Sequence, residues 1–348
     1  MAVTIKDVAK KAGVSYSTVS RALNDPNADK SDKKKRILKI VDSMSETGHH
    51  QGVMAYAAAY EYAEVEDILK IAEEMGYVPN QAAIQLKMSR SYVIGLYFST
   101  ISKMSSPFVL HDVLTGVYSV VGSKYNVIVK GIDMHEPGTL NPSFLDGIIV
   151  LTQKDDDLEF MDEVLNKGIP MVAICRTVFL DVPNVTTDEA GAMEKAMDCL
   201  LENGHRKIGI IEGNSNLDST RLRHRGWRAS MTKHGLDPDS LPVEHGTYRY
   251  ASGYQAAKRL LEQDLTAILS FNDEMAFGAR EAVTEVGLKV PDDVSLVGFD
   301  NWDLSGYANM KLTTVERNMG EIAREGTRIL LRRLEDGIID NRRVYLEN

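Results

Sequence analysis

The sequence is poor in cysteine and contains no long apolar run. Cys175 and Cys199 are its two cysteines, too few for a disulfide framework, and no histidine stands near them at the spacing of a metal site. No apolar run reaches the roughly 18 residues that cross a bilayer, and the start, MAVTIKDVAK, lacks the charged-then-apolar pattern of a signal peptide. We therefore expect buried thiols and a cytoplasmic protein without a membrane partner.

The short motifs of common enzymes are also missing. The sequence has no nucleophile elbow, no Walker loop, no dinucleotide glycine fingerprint and no histidine cluster with metal spacing. The stretch GHRKIGIIEGNSN is glycine-rich only at its ends and makes a weak phosphate cradle. These absences predict a protein that is not an enzyme and that needs no metal or cofactor.

Charge is distributed unevenly along the 348 residues, whose net charge is −10. Residues 1–50 hold ten Lys and Arg against six Asp and Glu, residues 51–75 have a net charge of −5, and residues 76–91 one of +2. The remaining residues carry a net charge of −11. A small basic unit joined to a large acidic body is typical of a DNA-reading head carried by a domain with another role.

The basic N-terminal unit has the pattern of two short helices around a tight turn. Within TIKDVAKKAGVSYSTVSRALND, Gly13 allows the turn and Ser15 is placed to cap the second helix. Each helix has one apolar face, formed by Ile5, Val8 and Ala9 in the first and by Val19, Ala22 and Leu23 in the second. Four residues remain on the outer side of the second helix: Tyr16, Ser17, Ser20 and Arg21. In a helix-turn-helix these positions enter the major groove, and the alternative is a solvated polar face.

From residue 92 onward, short apolar runs alternate with amphipathic helical patterns. The predicted strands cover 92–98, 126–132, 146–151, 170–175, 207–213, 266–271 and 294–299, and the predicted helices cover 107–124, 157–167, 189–203, 220–235, 251–264, 275–287 and 319–336. Apolar strands that alternate with helices indicate parallel sheets covered on both faces. Two such halves, with a boundary near 176–188 and a return crossing near 300–318, predict a bilobed domain. Its ligand would lie in the cleft between the lobes, beyond the carboxyl ends of the strands.

Polar and aromatic residues stand at those strand ends. Arg223 opens a helix after KIGIIEG, Asn272 follows AILSF, and Asp300 ends SLVGFD. A guanidinium and a carboxylate that face each other across a cleft suit paired hydroxyl groups. Three aromatic residues nearby are placed to stack on a sugar ring: Tyr248, Phe271 and Trp302. Asp188 and Asp273 have a plainer alternative role, since either can cap the helix that follows it.

Several of these stretches together resemble one family. TIKDVAKKAGVSYSTVSRALN is similar to the headpiece of the lactose/galactose repressor (LacI/GalR) family of bacterial transcriptional regulators, and GYVPNQAAIQL is similar to its hinge helix. The resemblance resumes in family order with GHRKIGIIEG, RLRHRGW, LSFNDEMAFGA, VPDDVSLVGFD and LTTVERN, and covers nearly the whole chain. It implies an all-α helix-turn-helix headpiece followed by an α/β bilobed effector domain like the periplasmic binding proteins, with two parallel-sheet lobes.

The resemblance also implies roles for individual residues. The implied DNA-binding residues are Thr4, Ser15, Tyr16, Ser17, Ser20, Arg21, Asn24, Asn80, Ala83 and Leu86. Two paired hinge helices would insert Leu86 into a minor-groove base step. The implied effector-binding residues are Ser106, Phe108, Asp188, Arg223, Tyr248, Phe271, Asn272, Asp300 and Trp302. The implied partners are double-stranded operator DNA, a sugar-like small-molecule effector and a second copy of the chain, with a tetramer as the open alternative.

The domains implied by the resemblance are a headpiece at 1–78, a hinge at 79–91 and a bilobed domain at 92–348, with an N-lobe at about 92–176 and 301–315 and a C-lobe at about 177–300 and 316–348. The implied function is repression of a carbohydrate-utilisation operon by a homodimer on a pseudo-palindromic operator, which the effector releases or tightens. Control by a corepressor or a carrier protein, of the purine or catabolite-control type, stays open as the alternative. A secreted solute-binding protein or a sugar enzyme explains the basic headpiece less well.

The sequence departs from the family at two places. MHEPGTLNPSFL, at 134–145, stands where the family has an amphipathic helix, and its prolines and glycine predict that no helix forms there. KRILKIVDSM and EDILKIAEEM repeat one helix at an offset of 31 residues, which indicates an insertion of that length, at about 45–75, in the third headpiece helix. We expect the first copy to pack on the first two helices and the second to extend toward the hinge.

Overall fold

A computed structural model describes residues 4–16, 18–20, 70–71, 74–75, 90–101, 106–302 and 311–347. The chain divides into two compact units, Met1–Arg90 and Ser91–Asn348. This division falls beside the predicted start of the bilobed domain at residue 92. Among the described residues, no helix combines the length and the apolar composition that a membrane span requires.

The first unit begins with the predicted pair of helices. Helix α1 (Ile5–Ala12) ends at Gly13, whose φ of 69° is left-handed. At its start, the backbone N–H of Thr4 donates to Asp7 Oδ2 at 2.8 Å. A second helix begins at Tyr16, and the Oγ of Ser15 accepts from the backbone N–H of Thr18 at 3.2 Å, as the predicted cap requires.

A small core holds these two helices together. It consists of Val8, Ala9 and Val19, with Ile71 and Met75 packed against it. Lys11 Nζ also lies 3.9 Å from Glu74 Oε2. The described part of the second repeat copy therefore packs on the first two helices, where the sequence had predicted the first copy. The first copy lies outside the described residues.

The second unit contains two parallel sheets. The strands are β1 (Val93–Phe98), β2 (Asn126–Gly131), β3 (Gly147–Leu151), β4 (Met171–Ile174), β5 (Asn184–Thr187), β6 (Ile208–Glu212), β7 (Val243–His245), β8 (Ala267–Ser270), β9 (Ser295–Asp300), β10 (Thr313–Glu316) and β11 (Arg343–Leu346). The first sheet has the order β11-β5-β4-β3-β1-β2 and the second the order β10-β9-β8-β6-β7. The apolar runs that alternate in sequence thus form the predicted bilobed α/β architecture.

Helices cover both faces of each sheet. They are α2 (Pro107–Val121), α3 (Asp157–Asn166), α4 (Glu189–Glu202), α5 (Asp218–Lys233), α6 (Tyr250–Leu260), α7 (Asp273–Glu285) and α8 (Met319–Asp336). In the N-lobe, α8 packs on α2 and on β3, β4 and β5; in the C-lobe, α4 packs on α5 and α6 on α7. Separate apolar clusters fill the two faces of the N-lobe sheet, and a single large cluster fills the C-lobe.

The chain crosses between the lobes at places that differ from the predicted ones. Strand β10 pairs with β9 in the C-lobe sheet, for example Thr313 with Val297, whereas α8 and β11 belong to the N-lobe. The prediction of 301–315 in the N-lobe and 316–348 in the C-lobe is therefore wrong. The prediction that 177–187 belongs to the C-lobe is wrong as well, because β5 pairs with β4 in the N-lobe sheet. Both errors arise because the sequence pattern does not reveal the short strands.

The N-lobe shows the predicted loss of a helix. Between β2 and β3 the structure contains a single 3-10 turn, Ile132–Met134, followed by turns and irregular chain. Pro137 and Pro142 lack the backbone N–H that a helix would use. This edge of the lobe is therefore covered by a loop.

Candidate functional site

A cavity of about 360 Å³ lies between the lobes, at the carboxyl ends of the strands. Its N-lobe wall is largely apolar and includes Phe98, Ile101, Val109, Leu110 and Leu151. Its C-lobe wall is largely polar and includes Ser219, Arg223, Tyr248, Asn272 and Asp300. A ligand that fits this cavity needs polar groups on one side and can turn an apolar face to the other.

Arg223 and Asp300 belong to one buried charge cluster on the C-lobe side. Arg223 Nε donates to Glu189 Oε2 at 2.8 Å, and its NH2 lies 3.4 Å from Asp300 Oδ1. Arg317 NH2 pairs with Glu189 Oε1 at 2.8 Å. The two predicted residues therefore lie side by side and do not face each other across the cleft.

The pKa values of this cluster follow from burial and from its four charges. Burial is the main reason that the pKa of Asp300 rises to about 6, against the lowering effect of Arg223 and Arg317. Burial alone would also raise the pKa of Glu189, but the charges of the two arginines outweigh it and hold that pKa below its ordinary value. Glu189 thus stays ionised and anchors both guanidinium groups.

Asn272 and Tyr248 line the cavity beside Arg223. Asn272 caps α7, because its Oδ1 accepts from the N–H of Met275 at 3.0 Å, and its Nδ2 donates to the carbonyl of Tyr248 at 3.1 Å. The Tyr248 hydroxyl and Thr220 Oγ1 are 2.7 Å apart. A Cβ on Gly213 would lie 2.1 Å from the Tyr248 ring, so glycine is needed there for the ring to reach the cavity.

Two polar atoms in the cavity wall are buried without a hydrogen-bond partner among the residues that the structure describes. They are Ser106 Oγ in the N-lobe and Arg317 Nε in the crossing that leads to α8. Buried polar groups in proteins are nearly always hydrogen-bonded. These two atoms are therefore candidates to contact a ligand.

The aromatic residues divide between the cleft and the core. The rings of Phe108 and Trp302 stack on each other at 4.3 Å between centroids, and Trp302 lines the cavity. Phe271 is fully buried in the apolar cluster of the C-lobe, and its carbonyl accepts a hydrogen bond from Arg223. The prediction that its side chain stacks on a ligand is wrong, since the ring is buried in the C-lobe core and does not line the cavity.

The two aspartates with alternative roles act structurally. Asp188 caps α4 by accepting from the N–H of Gly191 at 2.9 Å and is not among the residues that line the cavity. Asp273 is buried and accepts from the N–H of Trp302 at 3.0 Å and from Thr314 Oγ1 at 2.6 Å. It ties the segment after β9 to β10, so it does more than begin α7.

Sequence reasoning missed much of the cavity wall, including Gln153 and Ser219, and it missed Glu189 and Arg317 of the charge cluster. Arg317 lies in the stretch LTTVERN, whose family resemblance by itself implies no role for this arginine. Glu189 begins a helix, where an acidic residue is ordinarily explained by the helix dipole. Only the structure shows that Glu189 accepts a hydrogen bond from Arg223, which lies 34 residues further along the chain.

The candidate DNA-binding residues are described in part. Tyr16 is 55% exposed at the start of the second helix, as a base-reading position requires. Thr4 and Ser15 stand at the starts of the two helices, and Ser20 lies further along the second. The other predicted DNA contacts lie outside the described residues: Ser17, Arg21, Asn24, Asn80, Ala83 and Leu86.

Among the residues that the structure describes, no group of three or more His, Cys, Asp or Glu side chains is placed to hold a metal ion. Ser106 Oγ, Arg317 Nε and the polar C-lobe wall can form hydrogen bonds with a small molecule in the cleft. Ser106 Oγ can donate or accept, and Arg317 Nε can donate.

Comparisons with known proteins agree with this architecture. The bacterial regulatory proteins of the lacI family match residues 4–45, and a periplasmic binding protein-like domain matches residues 197–348. The probable HTH-type transcriptional repressor ExuR of Bacillus subtilis is 33% identical over 338 residues, which cover 94% of this chain and 91% of that protein. Catabolite control protein A of Priestia megaterium is 28% identical, with 99% and 97% covered.

Solved structures show the same fold. A complex of the transcriptional regulator CelR with cellobiose has a TM-score of 0.67 at 25% identity, covering 99% of this chain and 97% of the other. The lac repressor dimer bound to operator and the anti-inducer ONPF has a TM-score of 0.75 at 23% identity, covering 100% and 97%. With its helix-turn-helix unit, its two parallel-sheet lobes and a repressor relative along nearly its whole length, the chain belongs to the lacI family of bacterial regulatory proteins.

Proposed function

We propose that this protein represses a carbohydrate-utilisation operon and that a sugar-like effector, bound in the interlobe cleft, controls its affinity for operator DNA. The observation that carries the proposal is the cavity itself, with a polar C-lobe wall, an apolar N-lobe wall and two buried polar atoms without partners among the described residues. Pyranose sugars have the matching chemistry, because their hydroxyl groups need donors and acceptors and their C–H faces pack on apolar side chains.

The headpiece supports the DNA-binding half of the proposal. Tyr16 is exposed at the start of the second helix, which has the place of a recognition helix. A second copy of the chain would supply the other headpiece, so that a homodimer reads the two halves of a pseudo-palindrome. A coupling free energy of about 1–3 kcal/mol between effector and operator is enough to change operator affinity 5- to 150-fold.

Ser106 offers the cleanest test of the cleft. Because Ser106 Oγ has no hydrogen-bond partner among the described residues, Ser106→Ala should leave the fold and the operator affinity unchanged. It should weaken the response to a sugar that uses this oxygen by roughly 5- to 10-fold, the equivalent of one hydrogen bond. Ser119→Ala on the same helix is the matched control, since Ser119 Oγ donates to the carbonyl of Gly116 and lies away from the cavity.

The measurement is an operator gel shift with a panel of mono- and disaccharides, including cellobiose and ribose. A sugar that reduces DNA binding identifies an inducer, and one that increases it identifies a corepressor. If no sugar changes operator affinity, the effector assignment fails. If a sugar acts equally on the wild type and on Ser106→Ala, that oxygen is not part of the site.

A further inference from the structure

The lobes contact each other beside the cavity through a group of residues that the proposed function does not use. The N-lobe contributes Gln153 and Asp155, which follow β3, and Arg176, which follows β4. The C-lobe contributes Asp218 and Arg221, both in the first turn of α5. Helix α5 also carries Arg223, so its position decides where that guanidinium stands.

Helix α5 lacks a cap of its own. Leu217 precedes it and has no polar side chain to accept from the first backbone N–H groups of the helix. Gln153 of the opposite lobe caps the helix instead. Its backbone carbonyl accepts from the N–H of Asp218 at 2.9 Å, and its side-chain Oε1 accepts from the N–H of Ser219 at 3.2 Å.

Gln153 is itself held firmly in the N-lobe. Its Nε2 donates to the carbonyl of Cys175 at 3.2 Å, and its backbone N–H donates to Ser99 Oγ at 2.7 Å. These hydrogen bonds fix the position of Gln153 in the N-lobe, from which its side chain reaches the C-lobe. When the lobes separate, α5 loses this cap and its first N–H groups turn to water.

Four charges alternate across the same boundary. Arg221 NH1 lies 3.6 Å from Asp155 Oδ2, and Arg176 Nε lies 3.8 Å from Asp218 Oδ2. Within each lobe, Arg176 also pairs with Asp155, and Arg221 pairs with Asp218 at 3.0 Å. Each charge thus has an opposite charge in its own lobe and another across the boundary, so closing the lobes joins two pairs into one network.

We propose that Gln153 and these four charges form an interlobe latch that holds the cleft closed and positions α5, and with it Arg223, before any effector binds. The four charged residues do not line the cavity, so they act on the effector only through the position of the lobes. The latch also makes closure sensitive to salt, because partly exposed ion pairs are screened. The consequence for effector affinity rests on the proposed function, whereas the closure itself does not.

Pulsed electron spin resonance can measure closure without any ligand. One spin label goes on the exposed native Cys199 of α4 in the C-lobe and the other on an Asn166→Cys substitution at the exposed end of α3 in the N-lobe. The second native thiol, Cys175, is buried, and burial raises its pKa to about 12, so it stays unlabelled. Labelled chains are mixed with an excess of unlabelled Cys199→Ser chains, so that each dimer carries at most one labelled copy.

The wild type should show mainly the one distance that belongs to the closed lobes. Asp155→Asn and Arg221→Gln should each lower the ratio of closed to open lobes about 2- to 5-fold, and the double variant should go no further, because both substitutions break one pair. Gln153→Ala should lower it about 2- to 10-fold, since the side-chain hydrogen bond to the N–H of Ser219 across the boundary is lost while the backbone bond to Asp218 remains. Raising NaCl from about 0.05 M to about 0.5 M should lower the ratio in the wild type and less in the double variant.

Lys233→Gln is the matched control, because Lys233 pairs with Glu194 and Asp198 inside the C-lobe. Its distances should equal those of the wild type. Distances that stay unchanged in all the latch variants and at both salt concentrations would overturn the latch. A shift of equal size in Lys233→Gln would also overturn it, by assigning the effect to the stability of the C-lobe. Either result leaves the sugar gel shift unaffected, so the two proposals can fail separately.

Discussion

Replacing Glu189 by Gln tests the buried charge cluster most directly. The Glu189 side chain is 1% exposed and receives Arg223 Nε at 2.8 Å and Arg317 NH2 at 2.8 Å. Glutamine keeps the shape but removes the negative charge and turns an NH2 group toward one of the guanidinium groups. Among the described residues, Asp300 would then be the one carboxylate within reach of both, at 3.4 Å from Arg223 and 3.9 Å from Arg317.

The expected loss of stability is large. Removing one partner from a buried ion pair costs about 3–5 kcal/mol, because the remaining charge is left in a medium that solvates it poorly. For a domain of this size each kcal/mol lowers the melting temperature by about 2–4 °C, so we expect a decrease of roughly 6–20 °C. Glu189 does not line the cavity, so this loss occurs without removal of a ligand contact.

The same substitution should change the titration of Asp300. The charge of Glu189 is one of the causes that raise the pKa of Asp300 to about 6, after burial itself. Without that charge, and with the two arginines still present, the pKa of Asp300 should fall. Carbon-detected NMR of the carboxyl groups can follow this change, and a pKa that stays in place would mean that the charge of Glu189 does not contribute to it.

Unfolding of the C-lobe can be followed by the fluorescence of Trp227, which is fully buried in its core, in a Trp302→Phe background. Glu194→Gln is the matched control on the same helix, since Glu194 pairs with Lys233 at 3.4 Å at the surface. An exposed pair of this kind contributes less than about 1 kcal/mol. If the urea midpoints of the two variants coincide, the reasoning about the buried cluster is refuted.

Three further predictions concern the headpiece and the return crossing. Tyr16→Ala should weaken operator binding by about 1–3 kcal/mol in a gel shift and leave thermal stability unchanged, because the side chain is 55% exposed. Ile71→Asp should lower headpiece stability and operator affinity, whereas Ile40→Asp, at the matching position of the first copy, should do so less; equal effects would contradict the packing of the second copy. Burial raises the pKa of Asp273 to about 7, so the folded protein binds this proton more tightly than the unfolded chain, and stability should fall as pH rises from about 4 to about 7; in urea titrations Asp273→Asn should remove that part of the slope.

The sequence predicted the buried apolar strands well, including the four-residue strands β4 and β8, and missed the short polar strands. Runs such as VIGLYF in β1 are apolar at every position, which only a strand covered on both faces tolerates. The missed strands are four residues or fewer and polar: NVTT, VEH, TTVE and RVYL. Three of them are edge strands, where half of the backbone is unpaired and side chains need not be apolar.

The sequence predicted several residues that line the cavity, but it did not predict which charged groups pair with them. Strand ends placed Arg223, Asn272 and Asp300 at one edge of the sheet, and all three line the cavity. Their partners come from other parts of the chain, since Glu189 begins α4 and Arg317 follows β10. Sequence patterns report local periodicity, and the pairing of charges across helices depends on packing that no local pattern contains.

The repeated helix is a second case in which a local sequence pattern does not predict tertiary packing. The headpiece core needs an Ile and a Met four residues apart, and both copies provide them, as Ile40 and Met44 or as Ile71 and Met75. The apolar pattern therefore cannot distinguish the copies, and the family match at residues 4–45 includes the first one. A difference lies at the position before the methionine, where Glu74 of the second copy reaches Lys11 at 3.9 Å and the first copy has Ser43. An exposed pair contributes at most about 1 kcal/mol, so this one contact gives the second copy only a small part of its stability on the headpiece.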